Sequence, residues 1–334
     1  MHNAFSDALE TVLRDCCPAA VVRAVEGGED RPALWQALQD SGFADCLLPE
    51  EAGGAGLPLE ELAPVLFALG RHALPLPLGQ TLFARTLLHA AGLAVPPEPI
   101  ALACFDSAGD AADDRALVAG GAQAAWFLVQ QGTHCALLPR ARAQARATGA
   151  HADLAAILPR PACDGLPAFT LPAGTLRQIG ACLHAAQLAG AMSQVFDMTL
   201  QYANDRQQFG RPIGKFQAIQ HQISVMAEHV TAARMAAQIA CAGTGWLPDP
   251  LRAAIGKLNA SEAVTPVAAI AHAVHGAIGI TAEYDLQIYT RRLHAWRLAD
   301  GSEHYWGRVV GEAVCGEAER GVVELARGWS TDAA

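Results

Sequence analysis

Residues 205–221 read Asp205-Arg206-Gln207-Gln208-Phe209-Gly210-Arg211-Pro212-Ile213-Gly214-Lys215-Phe216-Gln217-Ala218-Ile219-Gln220-His221. A helical pattern stops here in a polar turn containing Gly and Pro, and a new amphipathic helix begins at Phe216. Leu176 to Ala203 before it and Phe216 to Ala242 after it carry apolar residues at helical spacing, with charges on the other positions. That is the pattern of long helices packed in a bundle. Two further helical stretches, about 250 to 274 and 302 to 326, complete it. Taken alone, a turn of this kind is a plain connection between helices.

Working outward, the chain from Ser6 to about Pro97 is again helical in period, as in Leu34-Leu38 and Leu59-Glu60-Glu61-Leu62-Ala63-Pro64-Val65-Leu66. Between these lies Leu48-Pro49-Glu50-Glu51-Ala52-Gly53-Gly54-Ala55-Gly56-Leu57, whose glycines and prolines mark a loop. Residues 98–170 change character. Ile100-Ala101-Leu102-Ala103-Cys104-Phe105, Ala125-Trp126-Phe127-Leu128-Val129 and Cys135-Ala136-Leu137-Leu138-Pro139 are short apolar runs bounded by turn residues, and they read as strands. The expected fold is mainly α with a small β-domain, divided into residues 1–97, 98–170 and 171–334.

The 334 residues are 52% hydrophobic and 17% charged, which suffices for a large core. A formal net charge of -10 argues against nucleic acid, whose binding depends on clustered Lys and Arg. Nine cysteines at irregular spacing read as reduced, mostly buried thiols. The start, Met1-His2-Asn3-Ala4-Phe5-Ser6-Asp7, lacks the basic and apolar regions of a signal peptide, and no apolar run of membrane-spanning length is evident, so a soluble, cytoplasmic protein without membrane contact is expected. His272 and His275 have no companion ligand at recognised spacing, so no metal is expected.

In its residue order, Arg206-x-x-Phe209-Gly210 followed by Phe216-Gln217 resembles the turn of acyl-CoA dehydrogenases, and the chain is identified as a short, divergent bacterial member of that family. The resemblance continues in Lys257-Leu258-Asn259-Ala260-Ser261-Glu262-Ala263, in the glycine turn His275-Gly276-Ala277-Ile278-Gly279-Ile280, and in the Pro49-Glu50-x-x-Gly53-Gly54-x-Gly56 loop. It implies an N-terminal helical domain, a reduced middle β-domain and a C-terminal four-helix bundle. It also implies FAD as cofactor. The arginine matching Arg206 would contact the flavin pyrophosphate across a subunit interface, and the phenylalanine matching Phe209 would pack near the adenine. A guanidinium suits that task because it presents a fork of donors and keeps its charge. Gly276 and Gly279 would let backbone approach a phosphate. The turn departs from the family pattern at Ala277 and Ala273, and the Thr-Glu-Pro segment that holds the flavin ring in relatives is missing.

The implied reaction is α,β-dehydrogenation of an acyl-CoA thioester, in which a carboxylate takes the α-proton and the β-hydrogen leaves as hydride to the flavin. Trp296-Arg297-Leu298-Ala299-Asp300-Gly301-Ser302-Glu303 resembles the family's Tyr-Glu-Gly-Thr turn, which places Asp300 at the catalytic glutamate and Ser302 at a flavin-contacting threonine. Asp is one methylene shorter, and misplacement of about an ångström can cost about 100-fold in rate. A helix cap is the competing reading of Asp300 and of Ser302. Some relatives carry the base on an earlier helix, but the stretch Ile179-Gly180-Ala181-Cys182-Leu183 offers no carboxylate.

Arg291 and Arg292 read either as phosphate contacts or as a salt-bridged helix face. Phe105-Asp106-Ser107-Ala108-Gly109 lacks the first glycine of a nucleophile elbow, which disfavours a hydrolase. Two functions remain. One is an active dehydrogenase, a homo-oligomer at least dimeric that passes electrons to an electron-transferring flavoprotein. The other is a non-catalytic or flavin-sharing partner subunit of a heteromeric acyl-CoA dehydrogenase, as in bacterial breakdown of steroid side chains.

Overall fold

The computed structural model describes residues 3–30, 32–105, 114–316 and 324. Five helices come first: α1 (Ala4–Cys16), α2 (Ala19–Glu26), α3 (Pro32–Asp40), α4 (Leu59–Arg71) and α5 (Leu78–Ala90). Helix α1 starts on a reciprocal cap, in which Asn3 Oδ1 accepts from the Ser6 N–H at 2.8 Å and Ser6 Oγ accepts from the Asn3 N–H at 2.9 Å.

Strands β1 (Ile100–Phe105), β2 (Arg115–Val118), β3 (Trp126–Gln131) and β4 (His134–Pro139) follow, then the short α6 (Arg140–Ala143), β5 (Arg146–Ala147), β6 (Ala156–Pro159) and β7 (Ala168–Thr170). They form a four-stranded sheet in the order β1-β3-β4-β7 and a three-stranded sheet in the order β2-β6-β5. Strands β1 and β3 run parallel with Leu102 opposite Leu128, and β3 turns back antiparallel into β4. Alternation along a strand sends neighbours to opposite faces. Ile100, Leu102 and Leu128 accordingly join the large helical core, while Ala101, Ala103, Phe105, Phe127 and Val129 fill a second, smaller core. Burial on both faces explains why these strands read as unbroken apolar runs.

The remaining elements are α7 (Thr175–Asp205), the two-residue strands β8 (Gln207–Gln208) and β9 (Arg211–Pro212), α8 (Gln217–Ala240), α9 (Pro250–His275), α10 (Leu286–Leu298) and α11 (Glu303–Gly316). The part of the expected last helix beyond Gly316 falls outside the described residues, apart from Glu324. Small side chains let these helices approach closely. A Cβ at Gly190 would lie 2.9 Å from the Arg71 backbone N and closer still to Phe67 O, so α4 and α7 touch backbone to backbone. Among the described residues, Pro250–Ile280 is long and apolar enough to cross a membrane. Here it is a core helix: Ala253, Ala260, Val264, Val267 and Ala271 belong to the helical core, and Lys257 is buried beside them.

Candidate active site

Helix α10 ends at Leu298, and the chain turns through Ala299 into Asp300, whose φ of 53° lies in the left-handed region. A non-glycine residue there is uncommon, and Asp is among the few that tolerate it. Two contacts hold the turn. Trp306 Nε1–H donates to Asp300 O at 3.0 Å. Gly301, at φ 105°, packs so tightly under Tyr305 and Trp306 that a Cβ there would sit 2.7 Å from Trp306 Nε1. The Asp300 side chain does not cap α11. Ser302 takes that place, with its Oγ accepting weakly from the Tyr305 N–H at 3.4 Å.

The Asp300 carboxylate instead crosses to α7. Its Oδ2 lies 2.9 Å from His184 Nδ1, with the side chains 20% and 1% exposed respectively. The same Nδ1 lies 2.9 Å from Gly180 O. Gly180 is required for this approach, because a Cβ at 180 would stand 2.8 Å from Asp300 Oδ1 and closer still to Oδ2 and Cγ.

Two cavities meet here. One, of about 540 Å³, is mostly apolar and runs between the start of α5, α7 and α10, with Leu183, His184, Gln187, Trp296 and Leu298 in its wall. The other, of about 390 Å³, lies between β1, β2, α7 and the start of α11, and is lined by Arg115, Arg160, Arg177, Asp300 and Tyr305. Leu117 and Leu298 border both. An apolar chamber beside a carboxylate and a polar chamber suits a ligand with an apolar body and a reactive polar head.

Beneath the turn, Lys257 is 0% exposed. Its Nζ donates to Trp296 O at 2.9 Å, Arg297 O at 2.8 Å and Ser261 Oγ at 3.0 Å. Burial pushes its pKa down to about 7, while the carboxylates of Asp300 and Glu303 pull it the other way. Glu303 is paired with Arg297, whose hydrogen bonds hold the carboxyl below its ordinary range. Arg291 and Arg292 border the apolar cavity but are engaged within the fold. Both grip the buried Glu26 of α2, at 2.8 and 3.1 Å, and Arg292 also donates to Leu74 O at 2.8 Å.

The other residues singled out from the sequence lie far from Asp300. Helix α7 rises about 1.5 Å per residue, so Arg206 sits about 40 Å along it from Gly180. Arg206 and Phe209 are exposed, on a hairpin formed by β8 and β9. Phe209 is 92% exposed at a φ of 52°, and its ring stands edge-to-face with that of Phe216, centroids 6.1 Å apart. The Arg206 guanidinium has no hydrogen bond or ion pair among the described residues. At this same end His275 stacks on Tyr202 at 4.5 Å, which brings the Gly276–Ile280 turn beside the end of α7. Gly276 has φ 63° and ψ -144°, with open space where a Cβ would project. Gly279 differs, because its Cβ would press on His275 at 2.9 Å, so packing accounts for that glycine. The buried Nε2 of His275 has no hydrogen-bond partner among the described residues.

The structure therefore separates these residues into two groups: Asp300 with Ser302 towards one end of α7, and Arg206, Phe209 and Gly276 at the other. His184 and Lys257 were not foreseen as site residues. The stretch where some relatives carry their base ends at Leu183, one position short of His184, and a lone histidine on an alanine-rich helix carries little signal.

Residues 175–315 match the family described as acyl-CoA dehydrogenase, C-terminal domain. Acyl-CoA dehydrogenase IpdE2 of Mycolicibacterium smegmatis is 34% identical over 289 residues, covering 85% of this chain and 88% of that protein. The chain belongs to the acyl-CoA dehydrogenase family. Among solved structures, the Tcur3481-Tcur3483 steroid ACAD G363A variant superposes with a TM-score of 0.79 at 25% identity, over 94% of this chain and 98% of that one. The ChsE4-ChsE5 complex from Mycobacterium tuberculosis has the same fold, with a TM-score of 0.79 at 20% identity over 94% and 98% of the two chains.

Proposed function

We propose that this chain takes part in FAD-dependent α,β-dehydrogenation of an acyl-CoA thioester, with Asp300 as the group that accepts the α-proton. The observation that carries the reading is the Asp300 carboxylate, held by His184 where the apolar and polar cavities meet. The apolar cavity would take the acyl chain and exclude water from the α-carbon. A partly buried carboxylate anchored through one oxygen leaves the other free to receive a proton. Bound FAD would supply the acceptor for the β-hydrogen, which leaves as hydride, and an electron-transferring flavoprotein would reoxidise it.

The residues at the far end of α7 fit the cofactor's phosphate end. An unpaired, exposed guanidinium at Arg206, an open backbone at Gly276 and an unsatisfied buried nitrogen on His275 suit an anionic, hydrogen-bonding group. One flavin dinucleotide cannot reach from there to Asp300 within a single chain. Each cofactor would be shared between two chains, with Arg206, Phe209 and Gly276 of one serving the flavin whose ring lies near the Asp300 end of another. Ser302, engaged as a cap, would contact the flavin only by giving up a weak bond.

The same separation favours a second reading, in which the chain is the flavin-sharing partner of a related but different acyl-CoA dehydrogenase subunit. Its hairpin and glycine turn can serve a neighbour's flavin whether or not its own Asp300 is used. The absorption spectrum of the chain purified alone, before and after reductant, separates the two. Flavin bands that bleach support an autonomous enzyme. A colourless chain that turns yellow only when co-expressed with a homologue supports the partner subunit and excludes the autonomous one.

A further inference from the structure

The proposed base is short. An aspartate in this turn has one methylene fewer than a glutamate, so something else must fix where its carboxylate faces. Three elements converge on it. The backbone is set by the left-handed φ of 53° and by the Trp306 bond to Asp300 O. The floor is the bare Cα of Gly180, against which no Cβ fits. The third is His184 Nδ1, 2.9 Å from Asp300 Oδ2 and 2.9 Å from Gly180 O.

Both neighbours of Nδ1 are acceptors, a carboxylate oxygen and a carbonyl oxygen, so Nδ1 carries the proton; it donates to Gly180 O, and the Asp300 oxygen lies beside it at ion-pair distance. A bare nitrogen lone pair facing two oxygens would repel both. The Gly180 carbonyl bond alone would satisfy a core histidine. The second contact is the informative one, because it binds the imidazole of α7 to the residue following α10.

We propose that His184 is a positioning residue for Asp300: its protonated Nδ1, bonded to the Gly180 carbonyl, lies against one carboxylate oxygen and turns the other toward the substrate. This rests on Asp300 being the proton acceptor. In this reading the α-proton goes to Asp300, and Nδ1, which already carries a proton, receives none. His184 acts by fixing direction.

The test uses the flavin-loaded enzyme, co-expressed with its partner chain where one is needed. The probe is whichever straight-chain acyl-CoA, from butanoyl to dodecanoyl, the wild type oxidises fastest. Asp300→Asn is measured first, and full turnover by that variant overturns the proton-acceptor reading and this proposal with it. With Asp300→Asn inactive, His184→Leu is expected to lower kcat by about 100-fold, the cost of misplacing a reacting group by about an ångström, with KM within roughly twofold of wild type. His184→Asn keeps a donor at the Nδ1 position and should recover most of the lost kcat. Gly180→Ala, with His184 intact, should repeat the kcat loss by pushing the carboxylate away. Wild-type kcat in His184→Leu, a change confined to KM, or an Asn variant as impaired as the Leu variant each overturns the proposal while leaving Asp300 as base. Where His184→Leu does not fold, the Asn and Ala variants decide: unchanged kcat in Gly180→Ala, or a folded Asn variant that has lost it, overturns the proposal.

Discussion

Lys257 Nζ donates to the carbonyl oxygen of Arg297 over 2.8 Å, so a buried lysine on α9 closes the last turn of α10 just before Asp300. Helix ends leave carbonyls without partners, and a cation there also meets the negative end of the helix dipole. Replacing the lysine with methionine strands two such carbonyls, Trp296 O and Arg297 O, at about 1–3 kcal/mol each. Lys257→Met is therefore expected to lower stability by a few kcal/mol, read from denaturant unfolding.

The pH dependence of that loss has a definite sign. In the folded chain burial brings the lysine pKa down to about 7 from an ordinary 10.5. Between those values the unfolded chain binds the extra proton, so stability contributed at this position rises with pH. Below about 7 both states are protonated and the contribution levels off. The stability gap between wild type and Lys257→Met should widen from pH 7 to pH 9 and stay flat below 7. A gap that narrows over that range would contradict the assignment.

Asp300→Asn keeps the size and polarity of the side chain and removes its basicity. A general base contributes about 10²–10⁴-fold. The variant should lose acyl-CoA oxidation by about that factor while retaining flavin colour, measured by dye-linked turnover beside the absorption spectrum.

Phe209 exposes nearly its whole ring on the hairpin that carries Arg206. Phe209→Asp should leave the stability of the isolated chain within about 0.5 kcal/mol, as for other surface changes, yet weaken its association with a second chain in light-scattering measurements. Arg206→Ala should release flavin more readily and make the residual binding less sensitive to salt, because one ionic contact with phosphate is gone.

At the crossing of α4 and α7, Gly190→Ala puts a methyl group where backbone already stands. Overpacking of this kind costs about 1–3 kcal/mol or more. The melting temperature should fall without any change in the ratio of kcat to KM in the fraction that remains folded.

The long helices were legible because their apolar period is sustained. The stretch expected from Leu176 to Ala203 runs as Thr175–Asp205, and the strand expected at Ile100–Phe105 has those ends. Asp300 was singled out through residue order. What surrounds it was not, since His184 lies 116 positions earlier on a helix whose small residues give no hint of which face meets α10. Lys257 reads in the sequence only as part of a family-like helix, because sequence alone cannot tell a solvated lysine from one closing a neighbouring helix. The scatter of Arg206 and Gly276 away from Asp300 follows from the length of α7, which periodicity reveals but the motif does not.

The carboxylate of Asp300 rests where a side chain on residue 180 would begin. Two stretches of backbone, remote in sequence, thus compete for one carboxylate-sized berth. The tenancy is exclusive: any side chain on residue 180 would displace the Asp300 carboxylate, so the bare glycine is what leaves the berth to Asp300.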